Sequence, residues 1–157
     1  MNTTTPSAAP VLDRTFTHRL HALAKVTDRV SQWAYEHEVG IPISEGRCLA
    51  AIGAFYPLSV NDLAMYTNLN KAQASRSTQS LVERALVLKQ TSDVDGRSVV
   101  LTLTPTGRDL WLRLMAVIER RNREMVSALS AEEQALFSQM LDRLLEHARN
   151  CASATPA

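Results

Sequence analysis

The chain contains little cysteine, glycine, proline or aromatic side chain. Its 157 residues include 2 cysteines, 5 glycines and 6 prolines, and aromatic residues make up 5%. Two cysteines do not make a disulfide framework, and Cys48 and Cys151 are too far apart in sequence for a short-spaced metal or redox motif. An apolar fraction of 45% and a balance of 17 basic against 16 acidic residues exclude a disordered or collagen-like chain. We therefore expect one globular domain without a cofactor.

Long apolar runs and enzyme motifs are missing as well. The longest apolar run, residues 48–55, is far shorter than the roughly 20 residues of a membrane span. Residues 1–10 lack the basic start and apolar stretch of a secretory signal, and we interpret them as a disordered polar arm. No Gly-rich phosphate loop, Gly-x-Ser-x-Gly or His-Glu-x-x-His sequence occurs. These absences predict a cytoplasmic protein that is not an enzyme and has no membrane partner.

An apolar stripe runs along the N-terminal region, residues 11–38. Its members recur at steps of three and four, which predicts a long amphipathic helix that ends at Gly40 and Pro42. The stripe consists of Phe16, Leu20, Leu23, Val26, Val30 and Trp33.

The C-terminal region, residues 105–149, repeats this periodicity in two further helices. Thr104 is the predicted cap of the first, and Ser130 with Glu133 forms a capping box for the second. Since the chain offers little else to cover these stripes, we expect the helices at both ends to join two copies into a homodimer. Residues 150–157 are interpreted as a polar tail.

Short capped helices are predicted between the two ends. Ser44 is the predicted cap of a helix that Pro57 ends. Ser59 and Asn70 are each followed, three positions later, by an acidic or amide residue, which is the spacing of a helix cap. Asn68 suits the left-handed conformation that ends a helix. Two capped helices joined by a short turn indicate a helix-turn-helix. The inward face of the second is expected to hold Ala74, Thr78, Leu81, Val82 and Ala85.

A β-hairpin is predicted directly after the helix-turn-helix. Residues 87–91 and 98–104 are rich in β-branched side chains, and Asp95-Gly96 between them suits a two-residue turn. A hairpin in this position is a wing. The predicted fold is therefore mainly α with a small β-hairpin wing: a winged helix-turn-helix at 59–104 within one domain of six helices at 11–149.

The helix that begins at Lys71 has the residue types that a DNA major groove requires on its outer face. Gln73 and Arg76 suit base contacts, because Gln pairs with adenine and Arg with guanine. Local charge supports this interpretation, since residues 63–91 hold four basic residues and one acidic, a net +3 against +1 for the chain. Arg97, next to the predicted turn, could enter a narrow minor groove. The predicted DNA-contacting residues are Asn70, Lys71, Gln73, Ser75, Arg76, Thr78, Gln79, Lys89, Asp95 and Arg97, with Thr78 alternatively turned inward.

The order of these features resembles the MarR family of winged helix-turn-helix regulators. Its most specific signature is Asp-x-Arg, a short strand, and then Leu-Thr-Pro-x-Gly, which residues 95–107 match without a gap. The segments 63–76 and 81–87 also fit the family, and the helix pattern extends the resemblance over 11–149. Two departures are Ala85, where relatives often have Gly, and Gly96, where a basic residue is frequent.

The resemblance implies a dimeric transcriptional regulator, most often a repressor, that binds a palindromic DNA operator. In such a protein the helix from Lys71 is the recognition helix, and Arg97 enters the minor groove with Asp95 orienting it. Relatives are released by small, often aromatic, carboxylates or phenols that bind between the dimer helices and the DNA-binding lobe. Side chains suited to such a pocket are His18, His21, Trp33 and Arg47, although the apolar stripe favours Trp33 as a core residue and Arg47 fits a surface position on the second helix.

Other interpretations remain open at the level of sequence. Cys48 could sense oxidants, but its apolar neighbours favour a buried, inert thiol. His18 and His21 lie three apart and could bind a metal, although two histidines on a long helix are usually polar surface. In a different class, the terminal stripes could bind another protein, which would make the basic helix face incidental.

Overall fold

The computed structural model describes residues 11–91 and 99–154. This part of the chain contains six α-helices and one small antiparallel sheet. The helices are α1 (Phe16–Ala34), α2 (Ile43–Ala54), α3 (Val60–Thr67), α4 (Lys71–Glu83), α5 (Pro105–Val126) and α6 (Ala131–Ala154). The strands are β1 (Leu58–Ser59), β2 (Val87–Thr91) and β3 (Val99–Leu103). The chain divides into two compact units, of which the first ends at Ile118 and the second begins at Glu119.

The helix predicted over residues 11–38 is shorter in the structure, because a separate 3-10 turn at Leu12–Arg14 precedes α1, which ends at Ala34. A wider, π-helical turn at Tyr35–Val39 follows it, and Gly40 then takes the left-handed conformation, with φ of 77°. This conformation costs glycine little because it has no Cβ. The predicted apolar stripe of α1 is exposed along its whole length, from Phe16 to Trp33.

The start of α2 differs from the prediction. Pro42, in extended conformation, precedes the helix, and Ser44 lies inside its first turn, so the predicted Ser44 cap is wrong. The reason is that the carbonyl of Pro42 already accepts the first helical bond, from the Gly46 N–H at 2.9 Å. Ile43 can therefore begin the helix without a side-chain cap.

The predicted starts of α3 and α4 are confirmed. The Ser59 hydroxyl accepts a hydrogen bond from the Asp62 N–H at 3.1 Å. Asn68 ends α3 in the left-handed conformation, with φ of 53°. Asn70 then caps α4 with a full capping box, in which its side chain accepts from the Gln73 N–H at 2.8 Å and its own N–H donates to the Gln73 side chain at 3.2 Å. These bonds are local, which is why sequence spacing predicts them.

The sheet has one strand more than predicted. Its order is β1-β3-β2, and β2 and β3 pair from Val87 opposite Leu103 to Thr91 opposite Val99, which confirms the predicted hairpin strands. The short β1 strand adds to the far edge of β3, where Leu58 lies opposite Leu101. Two residues are too few to show an alternating pattern, so the sequence could not indicate this strand.

The start of α5 is held against the loop that follows α4. The Thr104 hydroxyl donates to the Ala85 carbonyl at 2.8 Å and accepts from the Gly107 N–H at 2.9 Å, which confirms the predicted cap. A Cβ at Gly107 would lie 1.9 Å from the Leu86 carbonyl oxygen. The Thr-Pro-x-Gly sequence therefore has a packing explanation, because both its Thr and its Gly contact the chain just behind α4.

The core of the first unit lies between α2, α4 and the sheet. Its fully buried side chains come from every element of this region and include Leu49, Ile52, Leu63, Leu81, Val87, Leu101 and Leu114. Trp111 of α5 joins this core, and its indole N–H donates to the Ala50 carbonyl at 3.2 Å. The core therefore fixes α4 from its inner side and leaves its outer side to solvent.

The second unit contains the end of α5 and the whole of α6. The predicted capping box is confirmed, since the Ser130 N–H donates to the Glu133 carboxylate at 2.8 Å and the Glu133 N–H to the Ser130 hydroxyl at 3.3 Å. The α6 helix continues to Ala154, so a polar tail that begins at residue 150 is wrong. Its apolar positions, among them Leu136, Met140, Leu144 and Leu145, are exposed. None of the helices in the part of the chain described here combines the length and the apolar character that a bilayer crossing requires.

Candidate nucleic-acid interface

The helix-turn-helix presents one polar face of α4 to solvent. The side chains of Lys71, Gln73, Ser75, Arg76 and Gln79 are all exposed on it, as predicted. The opposite face is fixed in the core by Ala74 and Leu81, which are buried. A helix held in this way can enter a major groove without losing its packing.

Thr78 does not belong to the exposed face. Its side chain is buried and its hydroxyl donates to the Ala74 carbonyl at 2.8 Å. The prediction that Thr78 contacts a phosphate is therefore wrong, and the alternative, an inward-turned Thr78, is what the structure has. The physical reason is that a threonine inside a helix can satisfy its hydroxyl on the preceding turn and pack its methyl group inward.

The Gln73 side chain has a structural role in addition to any contact with a base. Its side-chain oxygen accepts the Asn70 N–H in the capping box. A bidentate contact with adenine uses both the oxygen and the amide group of a glutamine. To make such a contact, the Gln73 oxygen would have to give up its hydrogen bond with the Asn70 N–H. The exposed Arg76 side chain has no described hydrogen bond that it would have to break.

A polar chain connects α4 with the first strand of the hairpin. Lys89 of β2 donates to the Gln79 side-chain oxygen at 3.1 Å, and the Gln79 amide donates to Glu83 at 3.0 Å. Lys89 therefore places its positive charge beside the exposed face of α4, where a phosphate could bind. The two predicted wing residues, Asp95 and Arg97, lie outside the described residues.

The predicted effector residues fall on α1 and α2. The Arg47 guanidinium pairs with the Asp28 carboxylate at 2.5 Å, a bridge between α2 and α1. Trp33 is 58% exposed and stacks on His37 with ring centroids 4.5 Å apart, so the alternative of a core tryptophan is wrong for the single chain. His18 and His21 are exposed on α1. Among the described contacts, no hydrogen bond or ring contact joins Arg47, Trp33 and these histidines.

Sequence reasoning missed two partners of Arg47. Asp28 lies 19 positions away on another helix, and no local signal pairs such residues. Tyr35 is buried, and burial raises the pKa of its phenol, while the nearby Arg47 lowers that pKa and Asp28 raises it. These charges act on one another, so Arg47, Asp28 and Tyr35 form one electrostatic cluster where α1 meets α2.

The Cys48 thiol is completely buried, with its sulfur 3.9 Å from the Ala74 carbonyl oxygen. Burial raises the pKa of this thiol to about 11, against the smaller lowering effect of a hydrogen bond with Thr78. A thiol that stays protonated near neutral pH is a poor nucleophile, which argues against oxidant sensing at this position. In the described part of the chain, no group of three or more metal-binding side chains accompanies His18 and His21.

A helix-turn-helix with a polar, basic outer face that leads directly into a β-hairpin is the architecture of a winged helix-turn-helix protein. Proteins of this class place the second helix of the motif in the major groove of duplex DNA. The MarR family model matches residues 39–98, from the end of the π-helical turn to the residue before β3. Over these residues the chain is similar to the MarR family of transcriptional regulators.

A curated protein and its solved structure are also similar to this chain. The HTH-type transcriptional repressor Rv2887 of Mycobacterium tuberculosis is 28% identical over 106 residues, which cover 68% of this chain and 76% of the relative. The crystal structure of Rv2887 in complex with salicylic acid matches with a TM-score of 0.70 and 26% identity, over 84% of this chain and 97% of that one.

Two further solved structures have the same fold. The PcaV transcriptional regulator of Streptomyces coelicolor, in complex with its natural ligand, has a TM-score of 0.73 and 25% identity, over 90% of this chain and 99% of that one. A MarR/EmrR family transcriptional regulator from an Acinetobacter species has a TM-score of 0.82 at 22% identity, over 90% of this chain and 99% of that one. The last comparison supports the fold alone.

Proposed function

We propose that the protein acts in the cytoplasm as a homodimeric repressor that binds a palindromic operator and is released by a small aromatic or phenolic acid. The observation that supports DNA binding is the exposed polar face of α4. The opposite face of this helix packs in the core, and the Asn70 capping box fixes its start. A rigid, outward-facing helix is what base readout requires.

The proposed contacts divide by type. Arg76 and Gln73 reach base edges in the major groove, and Lys71, Ser75, Gln79, Asn70 and Lys89 contact phosphates. In the wing, Arg97 enters the minor groove and Asp95 orients its guanidinium, as in the family that the chain resembles. Thr78 is not part of this set, because its side chain is buried.

The proposed dimer uses the apolar stripes of α1 and of the C-terminal helices. These stripes are exposed in the single chain, at Leu20 and Leu23 on α1 and at Leu144 and Leu145 on α6. Burial of exposed apolar rows of this length against a second copy is more favourable than their exposure to water. Two-fold symmetry would then place two α4 helices about one DNA turn, roughly 34 Å, apart on a palindrome.

The proposed effector is a small aromatic carboxylate. Rv2887 has been crystallised with salicylic acid, and PcaV with its natural ligand. In this chain the Arg47 guanidinium, held by Asp28 where α1 meets α2, is the group that would bind such a carboxylate. Trp33, stacked on His37, supplies an exposed aromatic surface on α1, and His18 and His21 are further polar candidates on the same helix.

The DNA-binding proposal is tested by selecting duplexes from a random pool with the wild-type protein. Arg76→Ala and Arg97→Ala are then compared on the selected duplex by mobility shift. Loss of a bidentate base contact costs about 1–3 kcal/mol, so Arg76→Ala should bind at least about fivefold more weakly. Arg123→Ala, which removes an exposed α5 guanidinium paired with Glu119, is the matched control. Failure of the wild-type protein to enrich any duplex would favour the protein-interaction alternative, and wild-type affinity of both test variants would exclude Arg76 and Arg97 as DNA contacts.

The effector proposal is tested on the same duplex with salicylate as the probe. Salicylate should release the wild-type protein, whereas Arg47→Ala should still bind the duplex and fail to respond. His37→Ala removes the ring stacked on Trp33 and leaves Arg47 in place. Comparison of this variant with Arg47→Ala therefore distinguishes the contribution of the aromatic surface from that of the guanidinium. Unchanged release of Arg47→Ala by salicylate would exclude Arg47 as the carboxylate site.

A further inference from the structure

The carboxylate of Glu45, in the first turn of α2, contacts the C-terminal end of α4. One of its oxygens accepts a hydrogen bond from the Ser80 hydroxyl at 2.8 Å, and the other accepts from the Arg84 guanidinium at 2.6 Å. Only 12% of the Glu45 side chain is exposed. A carboxylate removed from water to this extent gives stronger and more directional bonds than an exposed one.

Arg84 extends these contacts to the end of the first helical segment. Its second terminal nitrogen lies 3.5 Å from the carbonyl oxygen of Gly40, the left-handed residue after the π-helical turn. Arg84 itself is the C-terminal cap residue of α4. The Arg84 guanidinium therefore connects the end of α4 to two other elements, the start of α2 and the end of the segment that begins with α1.

A different kind of contact holds the other half of α4 to α2. Cys48, one turn after Glu45 on α2, packs against the Ala74 carbonyl, and no charge is involved. The packing of Ala74 and Leu81 in the core holds α4 in place, but such apolar contacts are not directional. The bonds from Glu45 to Ser80 and Arg84 give α4 a second, directional attachment, which fixes its rotation.

We propose that Glu45 is a positioning residue for DNA recognition: it holds α4 through Ser80 and Arg84 at the angle that the operator requires, without touching DNA itself. This inference rests on the proposed DNA-binding function. Glu45 faces α4 from its inner side, so its effect on DNA passes through the helix and not through a phosphate contact.

Simple electrostatics and positioning predict opposite results for the loss of Glu45. Removing a negative charge beside a DNA-binding helix reduces its repulsion from phosphates, and this alone would tighten binding. Loss of the attachment leaves Arg84 without its carboxylate and α4 without its second anchor, which weakens specific binding. The sign of the change therefore distinguishes the two effects.

The test compares Glu45→Ala with wild type on a duplex selected by the wild-type protein and on unrelated DNA. We expect specific affinity to fall at least about tenfold, or about 1.4 kcal/mol, while affinity for unrelated DNA changes by less than about twofold. Glu45→Gln, which keeps an acceptor for Ser80 and loses the charge, should show a smaller loss, and it decides the question if Glu45→Ala does not fold. Glu119→Ala is the matched control, since it removes an exposed carboxylate paired with Arg123.

Hydrogen exchange provides a readout without DNA. Amides of residues 71–83 should exchange faster in Glu45→Ala and Glu45→Gln than in wild type or Glu119→Ala. Binding of the selected duplex by the folded Glu45 variant as tightly as by wild type, an equal loss on both DNAs, or unchanged exchange in α4 would overturn the inference. Failure of the wild-type protein to enrich any duplex would instead count against the proposed function, and the exchange measurement would still decide whether Glu45 positions α4.

Discussion

Among the glycines that the structure describes, Gly107 has the closest neighbour to an added Cβ. Its missing side chain allows the Leu86 carbonyl to approach so closely that a Cβ would lie 1.9 Å from the oxygen. The neighbour is backbone and cannot swing away, in contrast to the end of a flexible side chain. A glycine is required here for packing, because α5 begins where the chain leaves α4.

We expect Gly107→Ala to destabilise the protein strongly. Overpacking against backbone costs about 3 kcal/mol, at the upper end of the usual range. Urea unfolding followed by circular dichroism measures the loss. Thr106→Ala, at an exposed position of the same turn, should change stability by less than about 0.5 kcal/mol. Equal stability of the two variants would show that α5 can shift away from Leu86.

Cys48 yields a second prediction at the residue scale. Because burial raises the pKa of its thiol to about 11, the thiol stays protonated and inaccessible at about pH 8. In Cys151→Ser, where Cys48 is the remaining cysteine, a disulfide reagent should find no fast-reacting thiol until the protein is unfolded in guanidinium. A fast-reacting thiol in the folded variant would restore the oxidant-sensing alternative.

The same pKa shift gives stability a pH dependence. The folded state favours the protonated thiol. Its contribution to the free energy of unfolding is therefore complete below the ordinary thiol pKa of 9.0 and is lost as pH rises towards about 11. The free energy of unfolding should therefore fall more steeply over this interval in wild type than in Cys48→Ala. Parallel curves for the two proteins would contradict the shift.

At the scale of elements, α4 depends on how both of its ends are closed. Its start is closed by the Asn70 capping box. At its end, the Leu86 N–H donates to the Leu81 carbonyl and the Ala85 N–H to the Val82 carbonyl, both at 2.9 Å, which is the Schellman arrangement. Ala85 takes the left-handed conformation there, with φ of 54°, and is exposed, so its predicted inward position is wrong.

Replacement of Ala85 by glycine should stabilise the protein. The Cβ of a left-handed residue costs about 1–2 kcal/mol, and the greater freedom of glycine in the unfolded chain offsets about 0.5–1 kcal/mol of that. Ala85→Gly should therefore raise the free energy of unfolding by about 0.5–1 kcal/mol. Ala72→Gly, at an exposed helical position of α4, should lower it by a similar amount. Urea unfolding of both variants checks the opposite signs, and equal signs would contradict the explanation.

At the scale of the whole molecule, the described surface includes two kinds of exposed region, apolar rows and a polar helix face. The exposed apolar rows on α1 and α6 carry the proposed dimer contacts, while the polar face of α4 carries the proposed DNA contacts. A net charge of only +1 leaves the whole chain nearly neutral. In the proposed assembly, DNA affinity therefore comes from local charge and from two copies that bind together, which links the oligomeric state to binding.

The dimer is tested by Leu144→Glu, which places a charge in the exposed row of α6. Wild-type protein at micromolar concentration should sediment at twice the chain mass of 17.4 kDa, and the variant should sediment as a single chain. The variant should also lose most of its affinity for the selected duplex, because one α4 alone reads half of the palindrome. Met65→Glu introduces the same charge at an exposed apolar position on α3 and should remain dimeric. A wild-type monomer would exclude the proposed assembly.

Local interactions explain what the sequence by itself determined. The caps at Ser59, Asn70 and Ser130 each join atoms three residues apart, so spacing alone predicted where α3, α4 and α6 begin. The hairpin strands followed from alternation, and the outer face of α4 from helical periodicity. The winged helix-turn-helix class, and the resemblance to the MarR family, could be inferred because these local signals occur in one order along the chain.

Only the tertiary structure decided the contacts between distant residues. Glu45 meets Arg84 across 39 positions and Arg47 meets Asp28 across 19, and β1 exists only because β3 offers it an edge. Periodicity allowed Thr78 to lie on the inward face of α4 or to contact a phosphate, and only its burial in the folded chain decided between the two. Sequence patterns report short-range bonds, whereas the angle at which α4 is presented depends on long-range side-chain bonds that form only when the chain is folded.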